Sequence, residues 1–174
     1  RDMLGAGMIE AAHMLVPMPV GQALGLGPSL PPMDLVMFLS HGGQVVAVNR
    51  DLEQRLRDRG HDFAFNDARA AGAALRQAVT GRLRIGVPFH FSTQSELVRH
   101  WLASCGLAAS MLDLVTVPPP MMADALARGE VEAICVGEPW ASVSVDRGLA
   151  ALLLPGTAIW ASPPEKGLVL LRDF

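Results

Sequence analysis

The chain predicts an α/β fold of two similar lobes, and three observations lead there. Short apolar runs alternate with helical stretches from residue 83 to the end, the pattern of a parallel sheet flanked by crossover helices. A less complete version of that alternation fills residues 1–80. The segment IEAAHMLVPMP at 9–19 is also echoed by VEAICVGEPW at 131–140. Gly7, Ile9, Glu10, Ala11 and Pro17 match Gly129, Val131, Glu132, Ala133 and Pro139 at one offset, 122 residues (Gly7 to Gly129). Read physically, a helix, a glycine cap, a buried strand and a proline-headed helix form one unit, used once in each half. The alternative is a coincidence of common α/β vocabulary.

Each element has a local reason. Pro17 and Pro139 can open helices, because a first-turn N–H has no helical partner to lose. MDLVMFLSHGGQVVAV at 33–48 reads as two β runs split by Gly42-Gly43. DLEQRLRDRG at 51–60 is a charged helix stopped by Gly60. Asn66 or Asp67 caps the helix ARAAGAALRQAV, and Gly81 closes it. LRIGVP at 83–88 is a strand. Thr93 reads as an N-cap with Glu96 three residues later, ahead of Leu97, Val98, Trp101 and Leu102 on helical spacing. LDLVTV at 112–117, VEAICV at 131–136 and LAALLLP at 149–155 are further strands, and PPPMMADALARG is a helix opened by prolines. A boundary near Gly81 is expected, with 1–81 as part of lobe one and 82–174 as lobe two. Arg1 reads as mid-helix and Phe174 follows the strand-like GLVLL, so flanking segments are expected at both ends.

Composition narrows the function. The chain is 51% hydrophobic, so a core is easily built. Its net charge is −3 and nowhere blocky, which argues against a nucleic-acid surface. No apolar run reaches the roughly 18 residues of a membrane span. Cys105 and Cys135 set no disulfide framework and read as small buried hydrophobes. The histidines are scattered, and no Cys/His spacing suggests a metal site. There is no Gly-x-Ser-x-Gly elbow, no Gly-rich loop with Lys-Ser or Lys-Thr, and no His-Glu-x-x-His. GLGPSL at 25–30 follows a helix-like run rather than a strand, which makes it a poor phosphate loop. Catalysis and a cofactor are therefore not expected.

Binding fits better. In a two-lobed α/β protein, strand ends and helix N-termini face a crevice, where backbone N–H groups can hold an anion. The candidate donors are Gln44 after the Gly-Gly turn, Gln94 at a helix start, the backbone of Gly137, and Lys166, the lone lysine of an arginine-rich chain. Gln44, Gln94 and Lys166 each have a plainer reading: a turn residue, a first-turn helix residue, and a solvated lysine paired with Glu165.

CVGEPW at 135–140, VPPPMMADALARGEVEA at 117–133, RHWLASCGL at 99–107, AAHMLVPMPVGQALGLG at 11–27 and PPEKGLVLLRDF at 163–174 together resemble the nitrate/bicarbonate family of ABC-transporter solute-binding proteins, the NrtA/CmpA type. That family includes a cytoplasmic nitrate sensor. The resemblance implies a type II periplasmic-binding fold, two α/β lobes with a ligand cleft between them. It implies ligand contacts at Gln44, Gly137 and Lys166. A lysine at that last position goes with nitrate or nitrite, and an acidic residue with a metal goes with bicarbonate. Where the family has a Thr-His step this chain has Thr93-Gln94, and Gln94 can donate but cannot become cationic. His90 is a neighbouring alternative, and Glu138 and Trp140 are further candidates. The implied partners are nitrate or nitrite and an ABC permease on the periplasmic side, or an RNA-binding antiterminator if the protein is the cytoplasmic sensor. A biosynthetic enzyme on the same fold would need a histidine and cysteine set, which is not found.

Overall fold

The computed structural model describes residues 2–26 and 29–173, so Gly27 and Pro28 of the GLGPSL stretch, with Arg1 and Phe174, lie outside the described residues. The elements run α1 (Asp2–Gly5), β1 (Ala11–Leu15), α2 (Pro17–Ala23), β2 (Met33–His41), β3 (Gln44–Asn49), α3 (Arg50–Arg57), α4 (Ala68–Ala78), β4 (Leu83–Val87) and α5 (Thr93–Ser104). Then come β5 (Leu112–Thr116), α6 (Met122–Ala127), β6 (Ala133–Gly137), α7 (Trp140–Asp146), β7 (Ala150–Pro155), α8 (Gly156–Ile159) and β8 (Pro164–Leu171).

Two sheets organise them. The first has the order β1-β8-β2 and is antiparallel. The second has the order β5-β4-β6-β3-β7. Its strands β5, β4 and β6 are parallel, and β3 runs against both β6 and β7. The expectation of a purely parallel sheet from 83 onward is corrected on two counts: β3 enters from the first half, and β8 leaves for the other sheet. The sheets also draw a different divide from the one expected at Gly81. Residues 44–80 complete the sheet of 83–155, and 164–171 complete that of 11–41. The chain crosses between sheets at Gly42-Gly43, both at positive φ (73° and 85°), and again between β7 and β8. Gly42-Gly43 therefore does not close a hairpin.

The repeat is structural. Gly7 and Gly129 both have φ +67°. Each closes its helix with the same pair of bonds: Gly7 N–H to Leu4 O at 2.9 Å and Met8 N–H to Met3 O at 2.9 Å, against Gly129 N–H to Leu126 O at 3.0 Å and Glu130 N–H to Ala125 O at 3.0 Å. This is the glycine C-cap of a Schellman motif, written twice. The strands that follow, β1 and β6, each pair with the strand that crosses from the other half, β8 and β3. Each crossing strand lies between two strands of the lobe it enters: β8 between β1 and β2, β3 between β6 and β7.

Packing follows the sheets. On one face of the five-stranded sheet, Val46, Val48, Ile85, Val87 and Cys135 bury against Leu52 and Leu56 of α3, Leu75 of α4 and Trp101 of α5. Trp101 satisfies its indole N–H on Ala68 O at 2.6 Å. The other face packs on Met122, Leu126 and Ala141 of α6 and α7. A smaller core of Leu4, Met14, Met33 and Val169 lies under the three-stranded sheet. Asn49 and Asp67 cap α3 and α4. The N-cap of α5 is Ser92, not Thr93. The Ser92 side chain accepts from Ser95 N–H at 3.1 Å, while the Thr93 hydroxyl is spent on the neighbouring lobe.

Candidate functional site

The site lies where the chain passes between sheets, and it is built around one carbonyl. Pro164 O, at the start of β8, accepts from Thr93 Oγ1 at 3.1 Å and from Gln44 Nε2 at 3.3 Å. The first turn of α5, the first residue of β3 and the first residue of β8 therefore meet at one point. Gln44 is 1% exposed and stands directly opposite Gly137 in the β3–β6 register.

Glycine at 137 has a steric reason. A Cβ there would sit 3.0 Å from Glu165 Oε1, so the position is open because the Glu165 carboxyl occupies the space. Glu165 is 6% exposed. Burial pushes its carboxyl above the usual carboxylate range, against the pull of Lys166. Its Oε2 and Gln44 Oε1 are both buried and without hydrogen-bond partners among the described residues. Buried polar atoms are rarely left unpaired, and two of the six such side-chain atoms among the described residues meet at this junction.

The α5 first turn is polar yet buried: Ser92, Thr93, Gln94 and Ser95 are all under 10% exposed. Ser95 Oγ bonds Phe89 O at 2.8 Å, and Ser92 and Thr93 are committed as described. Gln94, 2% exposed, makes no side-chain hydrogen bond to another described residue, so its amide is the uncommitted donor of the turn. An apolar cavity of about 320 Å³ opens at the same turn, lined by Val16, Pro17, Val20, Gly21, Phe91 and Trp160, with Thr93, Glu96 and Pro164 also reaching its wall; Gln44, Gln94 and Gly137 do not line it.

Gln44, Gly137 and the α5 turn that carries Gln94 are thus brought to one junction. Lys166 sits differently. Burial along β8 alternates, with Glu165, Gly167 and Val169 buried, so Lys166 projects from the opposite face of the strand. It pairs in register with Leu15 of β1 and Ser40 of β2. The side chain of β8 that meets Gly137 is Glu165, and no ion pair joins Glu165 to Lys166 among the described residues. His90 is exposed. Glu138 is exposed too, and its Oε2 caps α7 by accepting from Ser142 N–H at 3.1 Å. Trp140 packs against the core under α6 and α7.

Glu165 is the residue that sequence reasoning passed over, and the signal was present. Alternation in Glu165-Lys166-Gly167-Leu168-Val169 puts the glutamate on the face of the buried valine. Cys135, fully buried in β6, has its thiol pushed well up by burial and by Glu165, so it is no nucleophile. Among the described residues no cluster of His, Cys, Asp and Glu could hold a metal ion, and no helix is long and apolar enough to cross a membrane.

Two sheets exchanging their crossing strands, with a buried polar junction between them, define the architecture of the periplasmic solute-binding proteins, as the resemblance implied. The crystal structure of the periplasmic nitrate-binding protein NrtA from Synechocystis superposes with a TM-score of 0.80 at 25% identity, covering 99% of this chain and 44% of that one. The chain belongs to the NMT1-like family, which matches residues 1–174. It is 31% identical to the nitrate import ATP-binding protein NrtC of Synechocystis over 95% of its own length and 24% of that protein's. It is 29% identical to the nitrate/nitrite binding protein NrtA of Synechococcus elongatus over 97% of its length and 38% of that protein's. The chain thus spans less than half of each of these relatives.

Proposed function

We propose that the junction binds a small inorganic oxyanion, nitrate or nitrite, and that the protein serves an ABC importer as its solute-binding component on the periplasmic side of the membrane, handing the anion to a permease without chemical change. The observation that carries the reading is the meeting of Gln44 and Thr93 on Pro164 O beside the side-chain-free Gly137. The names and coverage of the NrtA relatives support it.

The chemistry is consistent. Nitrate and nitrite are weakly hydrated acceptors, and a set of neutral donors replaces their water. Gln44 Nε2 has a second hydrogen beyond the one on Pro164 O, Gln94 has an unused amide, and the α5 N-terminus adds backbone N–H groups and the positive end of its dipole. Because Gln44 belongs to β3 and Pro164 to β8, an anion at this point touches both crossing strands. Its binding is then coupled to the angle between the sheets. Lys166, half-buried near the start of β8, supplies the positive charge that the resemblance assigns to the anion.

Calorimetric titration of the intact protein with nitrate, nitrite and bicarbonate, in chloride-free buffer with and without calcium, tests this. Saturable heat with nitrate or nitrite is expected. Saturable heat with bicarbonate alone, or none with any of the three, would refute it.

A further inference from the structure

We propose that the apolar cavity at the first turn of α5 binds a small organic cation, an apolar or aromatic body carrying a protonated amine, and that Glu96 and Trp160 recognise its charge. The site is separate from the Gln44–Gly137 junction and stands independently of the anion-binding reading.

Space comes first. The cavity of about 320 Å³ has a neighbour of about 420 Å³, lined by Glu96, Leu97, His100, Ile159 and Trp160. Glu96 and Trp160 belong to both walls, so the two spaces flank one carboxylate and one indole. A mostly apolar hollow of this size, with a few polar groups and walls from two lobes, has the character of a small-molecule site. Those walls come from α2, beside the three-stranded sheet, and from α5, on the five-stranded one, so an occupant touches both. They are also preformed. The Phe91 ring seats where α2 lacks a side chain, and a Cβ on Gly21 would lie 2.7 Å from it. Phe89 holds the same ring edge-on, with centroids 4.9 Å apart.

Charge then selects the occupant. Apolar walls ask for an apolar body. Glu96 is the one carboxylate on either wall, and no lysine or arginine lines them. The α5 cap is made between Ser92 and Ser95, which leaves Glu96 out of it. Glu96 is exposed, and its carboxylate makes no hydrogen bond or ion pair with another described residue. Trp160 is 49% exposed, and its indole is equally uncommitted. An aromatic face next to a carboxylate attracts a cation, and an ammonium brings both the charge and the donors. An anion would meet Glu96 with no lysine or arginine to offset it. His100, exposed on the second wall, is the remaining titratable group.

Trp160 makes the site readable, because Trp101 and Trp140 pack in the two faces of the core. Phenethylammonium titrated into the intact protein should change the intrinsic tryptophan fluorescence saturably, and Trp160→Phe should remove that change. Phenethyl alcohol, the neutral match, should bind roughly 5- to 20-fold more weakly, and phenylacetate more weakly still. Rising salt should narrow the gap between cation and alcohol. Glu96→Gln, at an exposed helix position, keeps the fold and should bring the cation close to the alcohol while leaving the alcohol unchanged. No saturable signal with the cation would overturn the proposal. So would equal or tighter binding of the alcohol or of phenylacetate, or a cation preference that survives Glu96→Gln undiminished. Each of these results leaves nitrate binding, read by its own titration, untouched.

Discussion

Gln44 and Lys166 hold equivalent positions in the two halves of the molecule. Gln44 pairs with Gly137 as β3 enters the five-stranded sheet, and Lys166 pairs with Leu15 as β8 enters the three-stranded one. Leu15 and Gly137 are separated by the repeat offset. The bonds beside them match: Glu138 N–H to Gly43 O at 2.9 Å in one half, and Val16 N–H to Glu165 O at 3.1 Å in the other. Glu165 is therefore the counterpart of Gly43. A glycine in one half answers a buried glutamate in the other, and this is where the duplication departs from its own symmetry.

Gln44 has one long hydrogen bond and one unpartnered oxygen, so the fold gains little from it. Gln44→Leu should weaken nitrate binding by roughly 10- to 100-fold, the loss of a hydrogen bond to a charged group worth about 1.5–3 kcal/mol, with the melting temperature nearly unchanged. Parallel calorimetry and thermal melts check this.

Gly137→Ala places a methyl 3.0 Å from Glu165 Oε1. The carboxyl must give way, and the variant should fold but bind the anion more weakly. A normal melt with unchanged nitrate affinity would show that the Glu165 position is irrelevant to binding.

The paired caps predict paired costs. Gly7 and Gly129 share φ +67°, and a Cβ at either meets nothing within 4 Å. Alanine at each should cost about 1–2 kcal/mol through backbone strain alone. Urea denaturation of the two variants should show losses of that size at both positions.

Acid should expose the α3 carboxylate. Burial raises the Glu53 carboxyl, but hydrogen bonds from Arg50 at 2.7 Å and from Arg57 at 2.8–2.9 Å outweigh it and hold the carboxyl below its ordinary value of 4.5. A lowered folded-state value means stability fully present above the unfolded value and lost as pH falls through the folded one. Unfolding free energy should therefore decline below about pH 4.5, and Glu53→Gln should flatten that part of the decline. Denaturant melts between neutral and acid pH measure it.

Much of this was legible in the sequence because it is local. Glycine caps, proline-headed helices and the alternation of apolar runs are set within a few residues, and the repeat at 7–17 and 129–139 announced the duplication. What was not legible is the exchange of crossing strands. Whether β3 turns back on β2 or passes into the other sheet depends on Gly42-Gly43 adopting positive φ without closing a hairpin, which the two letters do not encode. The site shared that fate in part. Gln44, Gly137 and Gln94 were readable as candidate donors at element ends, and the fold brings their elements together. That Glu165, and not Lys166, lies against Gly137 required knowing which face of β8 looks toward β6.

The central claim is that the Gln44–Gly137 junction is the anion site. A crystal structure of the intact protein grown with nitrate tests it most directly. The account predicts a planar ligand within hydrogen-bond distance of Gln44 Nε2 and beside the backbone of Gly137. Nitrate bound elsewhere, with the junction unchanged and Gln44 still bonded only to Pro164, would contradict it.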